Sequence, residues 1–114
     1  MAFTLEDAQV LIPEVRERTT RAATEMEKLL AHASELPEDT KERDDIGEKI
    51  RVVVEGWAAD INKLGAEVKG LWLVDFDSGD GYWCWKHPEE TLEYFHGYEE
   101  GFSGRKLIPA PVLH

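Results

Sequence analysis

The residues best suited to chemistry stand near the C-terminal end: Glu93, His96, Glu99 and Glu100, followed by Arg105. Imidazole and carboxylate at close spacing can ligate a transition metal, or act as a base and the group that orients it. Glu93, His96 and Glu99 are therefore candidate ligands for a divalent metal, and His96 and Glu99 are candidate catalytic groups. Glu93 and His96 are three apart, a spacing that shares a face on a helix but is split between faces on a strand. The plainer alternative makes His96 a hydrogen-bonded, partly buried residue and Glu99 a surface acid.

Asp75 is the third catalytic candidate, because it stands among apolar residues in Leu71–Phe76. A half-buried carboxylate there pairs with a cation, for which Arg105 is the natural choice, or has a raised pKa. Asp75, Asp77 and Asp80 with Gly79 and Gly81 lack the alternating ligands and closing Glu of a calcium loop, so they read as a turn. Cys84 has no second cysteine and no adjacent base, which is the setting of an inert core thiol. Tyr82, Cys84, Trp85, Tyr94 and Arg105 could line a ligand site, the aromatics as walls and the arginine for an anionic group. Core packing is the default for aromatics at strand spacing.

These residues need elements to position them, and the chain changes character near residue 70. Residues 1–69 are rich in Ala, Glu, Lys, Arg and Leu and predict a helical hairpin. Thr4 can cap the first helix, with Asp7 as the favoured acid in its first turn. Leu11, Val15, Ala22, Met26, Leu29 and Ala33 then recur at helical spacing, with Thr19 in the gap. Pro13 should kink or restart this helix, and Leu36-Pro37 should follow its end. Asp39 and Glu42 resemble a capping box for a second helix, whose seam is Ile50, Val54, Trp57, Ile61, Leu64 and Val68. Gly56 lowers propensity beside Trp57, and Lys69-Gly70 looks like the stop.

Residues 70–114 predict a small antiparallel sheet of three strands, Leu71–Phe76, Tyr82–Lys86 and Leu92–His96, followed by a coil tail. The whole of 1–114 is thus one α+β domain, a long antiparallel helical hairpin packed with that sheet. The hairpin turns suggest Phe76 opposite Tyr82 and Lys86 opposite Leu92. One face then carries Val74, Phe76, Tyr82, Cys84, Tyr94 and His96. The other carries Leu73, Asp75, Trp83, Trp85, Glu93 and Phe95. Both faces are apolar enough to need cover, one from the helices and the other from the tail, a partner subunit or a ligand. A slip of one residue would redistribute both faces.

Bulk properties exclude some classes. Among 114 residues the formal net charge is -11, and the pI is near 4.7. Such a surface repels phosphate backbones and anionic lipid, which argues against nucleic acid and membrane as partners. After Gly70, three basic residues face eight acids. The single cysteine, the absence of a signal-like N-terminus and the lack of a long apolar run fit a cytoplasmic protein.

Several segments in order resemble a bacterial family known as domain of unknown function 2203. They are Phe3-Thr4-Leu5-Glu6 with Ala8, Leu11-Ile12-Pro13-Glu14, Gly70-Leu71 with Val74-Asp75-Phe76, and Cys84-Trp85-Lys86. Glu93-Tyr94-Phe95-His96 and Gly101-Phe102-Ser103-Gly104-Arg105-Lys106 complete the set. Asp77 and Phe95 stand where the family more often has Pro and Trp. The resemblance implies the arm-plus-sheet layout and a bacterial cytoplasmic setting, and directs attention to Asp75, Cys84, Trp85, Glu93, His96, Gly101, Gly104 and Arg105. It implies no activity.

Two readings of function follow. The first is a binding or protein-interaction module that forms a homodimer through exposed sheet surface. The second is a small enzyme or metal-binding protein centred on His96, Glu93 and Glu99.

Overall fold

The computed structural model describes residues 2–109. Two helices, α1 (Leu5–Ser34) and α2 (Lys41–Lys63), form the expected hairpin. Thr4 caps α1 through a full capping box with Asp7, and Pro13 lies inside one uninterrupted helix. As the ninth residue of the helix it forgoes one backbone hydrogen bond, to the Gln9 carbonyl, yet neither a restart nor a second cap follows. The cap of α2 is Thr40, whose hydroxyl accepts from the Arg43 amide; Asp39 sits before it at a positive φ of 59°. No helix among the described residues is long and apolar enough to cross a membrane.

The sheet is larger than expected. Five antiparallel strands run in chain order: β1 (Glu67–Gly70), β2 (Leu73–Asp77), β3 (Tyr82–Lys86), β4 (Tyr94–His96) and β5 (Lys106–Leu107). The second helix therefore stops six residues before Lys69. Gly65, at φ +93°, ends it, and a Cβ there would stand 3.0 Å from Phe3 Cζ. Glycine tolerates this left-handed stop, and the chain reverses into β1. The supposed coil tail contributes β5, which pairs with β4.

The second hairpin has the expected register, with Tyr82 opposite His96. In the first hairpin the register is shifted by one residue from the expected one: Asp77 pairs with Tyr82, Phe76 with Trp83, and Asp75 with Cys84. The turn is four residues long rather than five. Ser78 closes it, its amide donating to the Gly81 carbonyl at 2.8 Å, while Asp77 stays in the strand and its Oδ1 accepts from the Gly79 amide at 2.8 Å. Side chains alternate between faces, so this shift moves Asp75 to the face that carries Cys84 and His96.

The opposite face, with Val74, Phe76 and Trp85, packs on Ala8, Ile12 and Val15 of α1 and Trp57 and Ile61 of α2. Phe3 meets Phe76 edge-on at 5.4 Å, and Trp72 meets Trp57 at 4.9 Å. Thr19, fully buried in the apolar stripe of α1, accepts a hydrogen bond from Trp57 Nε1 at 2.8 Å. Valine in its place has the same shape but orphans the indole N–H. Thr19→Val should therefore cost about 1–3 kcal/mol, read as a lower urea midpoint at unchanged slope; an unchanged midpoint would show the bond to be dispensable.

Candidate functional site

The face turned away from the helices holds the polar cluster. Asp75 from the middle of β2, Cys84 from the middle of β3 and His96 from the end of β4 are 1%, 0% and 5% exposed. A carboxylate oxygen, the Sγ and an imidazole nitrogen of these three all lie within 4.8 Å of one another. Asp75 and Cys84 are direct cross-strand partners, while His96 stands one row along, opposite Tyr82 and Asp77's partner position. Gly81 makes that approach feasible, because a Cβ there would stand 2.6 Å from the His96 carbonyl and 2.5 Å from Phe95 Cζ.

The hydrogen bonds determine the histidine tautomer. His96 Nδ1 lies 2.8 Å from the Gly97 carbonyl, which can only accept, so Nδ1 carries a proton. Nε2 lies 2.9 Å from Asp75 Oδ2, and one proton is shared across that contact. The other carboxylate oxygen, Asp75 Oδ1, is buried with no hydrogen-bond partner among the described residues. A buried acceptor left in this way costs roughly 1–3 kcal/mol, so the arrangement is not explained by stability.

Burial sets the electrostatics. It raises the Asp75 pKa above the usual carboxylate value, with the nearby His96 acting in the opposite direction. Burial also pushes the Cys84 thiol up to about 12, with Asp75 adding to the rise and Arg105 opposing it. A thiol so fully protonated is a poor nucleophile. Both imidazole nitrogens are engaged elsewhere, and the neighbouring Asp75 carboxylate holds the thiol in its protonated form rather than activating it.

Tyr82 covers His96, their ring centroids 5.4 Å apart, and Tyr98 packs edge-on against Tyr82 at 5.2 Å. Tyr98 donates to Asp77 Oδ1 at 2.5 Å, which pushes its phenol up to about 12. On the other flank, Arg105 lies over Tyr94 at 3.8 Å and over Phe102 at 4.2 Å. It holds Glu89 through two hydrogen bonds of 3.0 and 2.6 Å. The C-terminal segment through Arg105 thus covers the sheet face for which a tail, partner or ligand was expected.

The structure brings together Asp75, Cys84 and His96 but leaves other sequence candidates apart. Glu93 is exposed and accepts from the Thr91 hydroxyl at 2.8 Å; Glu99 is exposed as well. Neither carboxylate joins His96, because Glu93 lies outside β4 and Glu99 lies in the following loop. Arg105 pairs with Glu89 rather than Asp75, whose partner is His96. Trp85 belongs to the helix-facing core, its Nε1 donating to the Glu89 carbonyl at 2.8 Å. Tyr82 and Tyr94 stand on the cluster's face, as their pairings with His96 and Cys84 require.

Carboxylate, thiolate and imidazole are donors of the kind that zinc and similar transition ions take. Around such an ion, bond lengths of about 2.0–2.3 Å put donor atoms roughly 3.3–3.7 Å apart in a tetrahedron. The donors here lie no more than 4.8 Å apart, with His96 Nε2 and Asp75 Oδ2 at 2.9 Å. Cavities of about 480 and 440 Å³ lie along α1 around Arg21, and one of about 410 Å³ is lined by Phe3, Trp83 and Phe95, all away from this cluster.

No curated protein and no solved structure matches the chain. The model of the family described as Uncharacterized conserved protein (DUF2203) matches residues 1–108, and this chain belongs to that family.

Proposed function

We propose that this protein is a binding module for a divalent transition metal of the zinc type, held by Asp75, Cys84 and His96. One observation carries the reading: three side chains of ligating type are buried together, and Asp75 Oδ1 has no hydrogen-bond partner among the described residues. The Nδ1 donation to Gly97 adds support, because ligating histidines commonly anchor one nitrogen on a carbonyl and offer the other to the metal. A cation among the three would displace the proton shared by Asp75 and His96, and would favour the Cys84 thiolate. The cluster suits a single ion better than an organic substrate, since its three side chains are almost wholly buried.

Cobalt(II) is the spectroscopic probe. Titrated into the protein, it should bind at one equivalent and give a thiolate-to-cobalt charge-transfer band in the near ultraviolet. The band should disappear in Cys84→Ala and in Cys84→Ser, with the fold of each variant checked by circular dichroism. Absence of the band from the wild-type protein at saturating cobalt would overturn the proposal.

A further inference from the structure

We infer that Glu67 is a fourth protein ligand of this centre, so that the ion is enclosed rather than left open to solvent or substrate. The inference rests on the metal reading above. Its basis is the register: Glu67 pairs with Asp75, Asp75 with Cys84, and Cys84 with Tyr94, so these side chains form one row across four strands. Direct cross-strand partners share a face, with Cβ atoms about 4.5–5.5 Å apart. Glu67 therefore emerges beside Asp75, and its extra methylene gives it the reach to approach the cluster.

The present contacts of Glu67 point the same way. Its Oε1 accepts from Lys69 Nζ at 2.9 Å and lies 3.3 Å from the Tyr82 hydroxyl. The ring of that tyrosine packs on the His96 imidazole. Glu67 thus sits at the hydroxyl end of the ring that packs on His96, paired with a partly exposed lysine that also donates to that hydroxyl at 3.2 Å and lies 4.3 Å over the ring. Such a pair between solvent-accessible groups is worth little, and a divalent cation competes with it easily.

Nearby acids are less free to move. Asp77 Oδ1 is held by the Tyr98 hydroxyl at 2.5 Å and the Gly79 amide at 2.8 Å. Glu100 Oε1 holds the Gly97 amide at 2.8 Å, and Glu89 is clamped by Arg105. A thiolate, two carboxylates and a neutral imidazole around a divalent ion leave one net negative charge. Lys69, released from Glu67 but anchored on the same strand, is placed to balance it. Four protein ligands are the pattern of closed, structural zinc sites, whereas catalytic sites keep a position open.

The test compares wild type with Glu67→Gln, using cobalt(II) as the metal and azide as a probe of an open position. Glutamine has the same shape and can keep a hydrogen bond to Tyr82 at this half-exposed site. The variant should still bind one cobalt with the thiolate band, but at least about 10–100-fold more weakly, the range seen for losing even an outer-sphere partner. Azide should shift the visible bands of the variant and leave those of the wild type unchanged. Equal affinity in the two proteins, or a wild-type spectrum that shifts with azide, would remove Glu67 from the coordination sphere while leaving the three-residue centre standing. If wild type takes up no cobalt, both ideas fall together.

Discussion

In Asp75→Asn the metal-free protein should become more stable at neutral pH by about 1 kcal/mol, raising the midpoint of thermal unfolding by roughly 4 °C, while metal affinity falls at least about 100-fold. The amide retains the neighbouring hydrogen bond, because its NH₂ can donate to His96 Nε2 when Nδ1 donates to Gly97. What it loses is the charge of a carboxyl group that is 1% exposed, while the unpartnered oxygen stays as a less costly neutral amide oxygen. Removing a poorly satisfied charge from the interior is favourable even when the shape is unchanged. The sign with pH follows from linkage. Burial raises the folded-state pKa of Asp75, so its contribution is complete below the ordinary carboxylate value and lost as pH rises through the folded value. Asparagine has no such loss, and the advantage of the variant should grow across that interval. Differential scanning calorimetry on metal-free protein and a cobalt titration read the two halves separately. A destabilisation of about 3–5 kcal/mol would instead identify a structural ion pair broken on one side. Stability gained together with binding lost is the mark of a residue kept for its chemistry.

That site was only partly legible in the sequence, and the reasons are local. The helices could be read because apolar positions repeat at three and four, and because Thr4 and Asp7 form a recognisable cap. The first strand was hidden by the same logic: Leu64 and Val68 continue the seam of the second helix, so the eye passes over Gly65, where the helix ends. A two-residue strand such as Lys106–Leu107 is too short to show any period. The site itself turned on one residue of turn length. Counting Asp77 into the turn puts Asp75 on the face of Trp83 and Trp85, away from His96. The backbone bond from Ser78 to Gly81 puts Asp77 in the strand and Asp75 opposite Cys84. A signal was present, since Val74 and Phe76 on either side of Asp75 demand the core face and leave the carboxylate the other. The pull of His96 towards Glu93 and Glu99 came from closeness in sequence, which on a strand and its following loop does not become closeness in space.

Trp85→Ala should cost about 3–5 kcal/mol of folding stability, the range for removing a large aromatic from a packed interior. Trp85 is 0% exposed and contacts the cluster that joins sheet to helices. Its Nε1 also donates to the Glu89 carbonyl, and the Glu89 side chain accepts from the Lys86 amide at 2.7 Å and clamps Arg105. Loss of the ring therefore loosens the connection between β3 and β4 as well as the core. Urea unfolding measures the cost, and Trp85→Phe separates the two parts. Phenylalanine keeps most of the apolar volume and loses the hydrogen bond, so it should recover more than half of the stability lost by alanine. The phenylalanine variant should still bind one cobalt per chain with the thiolate band, because Trp85 points to the helices and the cluster lies on the opposite face. A Trp85→Phe protein as stable as wild type but unable to bind would reverse this assignment, making the indole part of the site rather than part of the core.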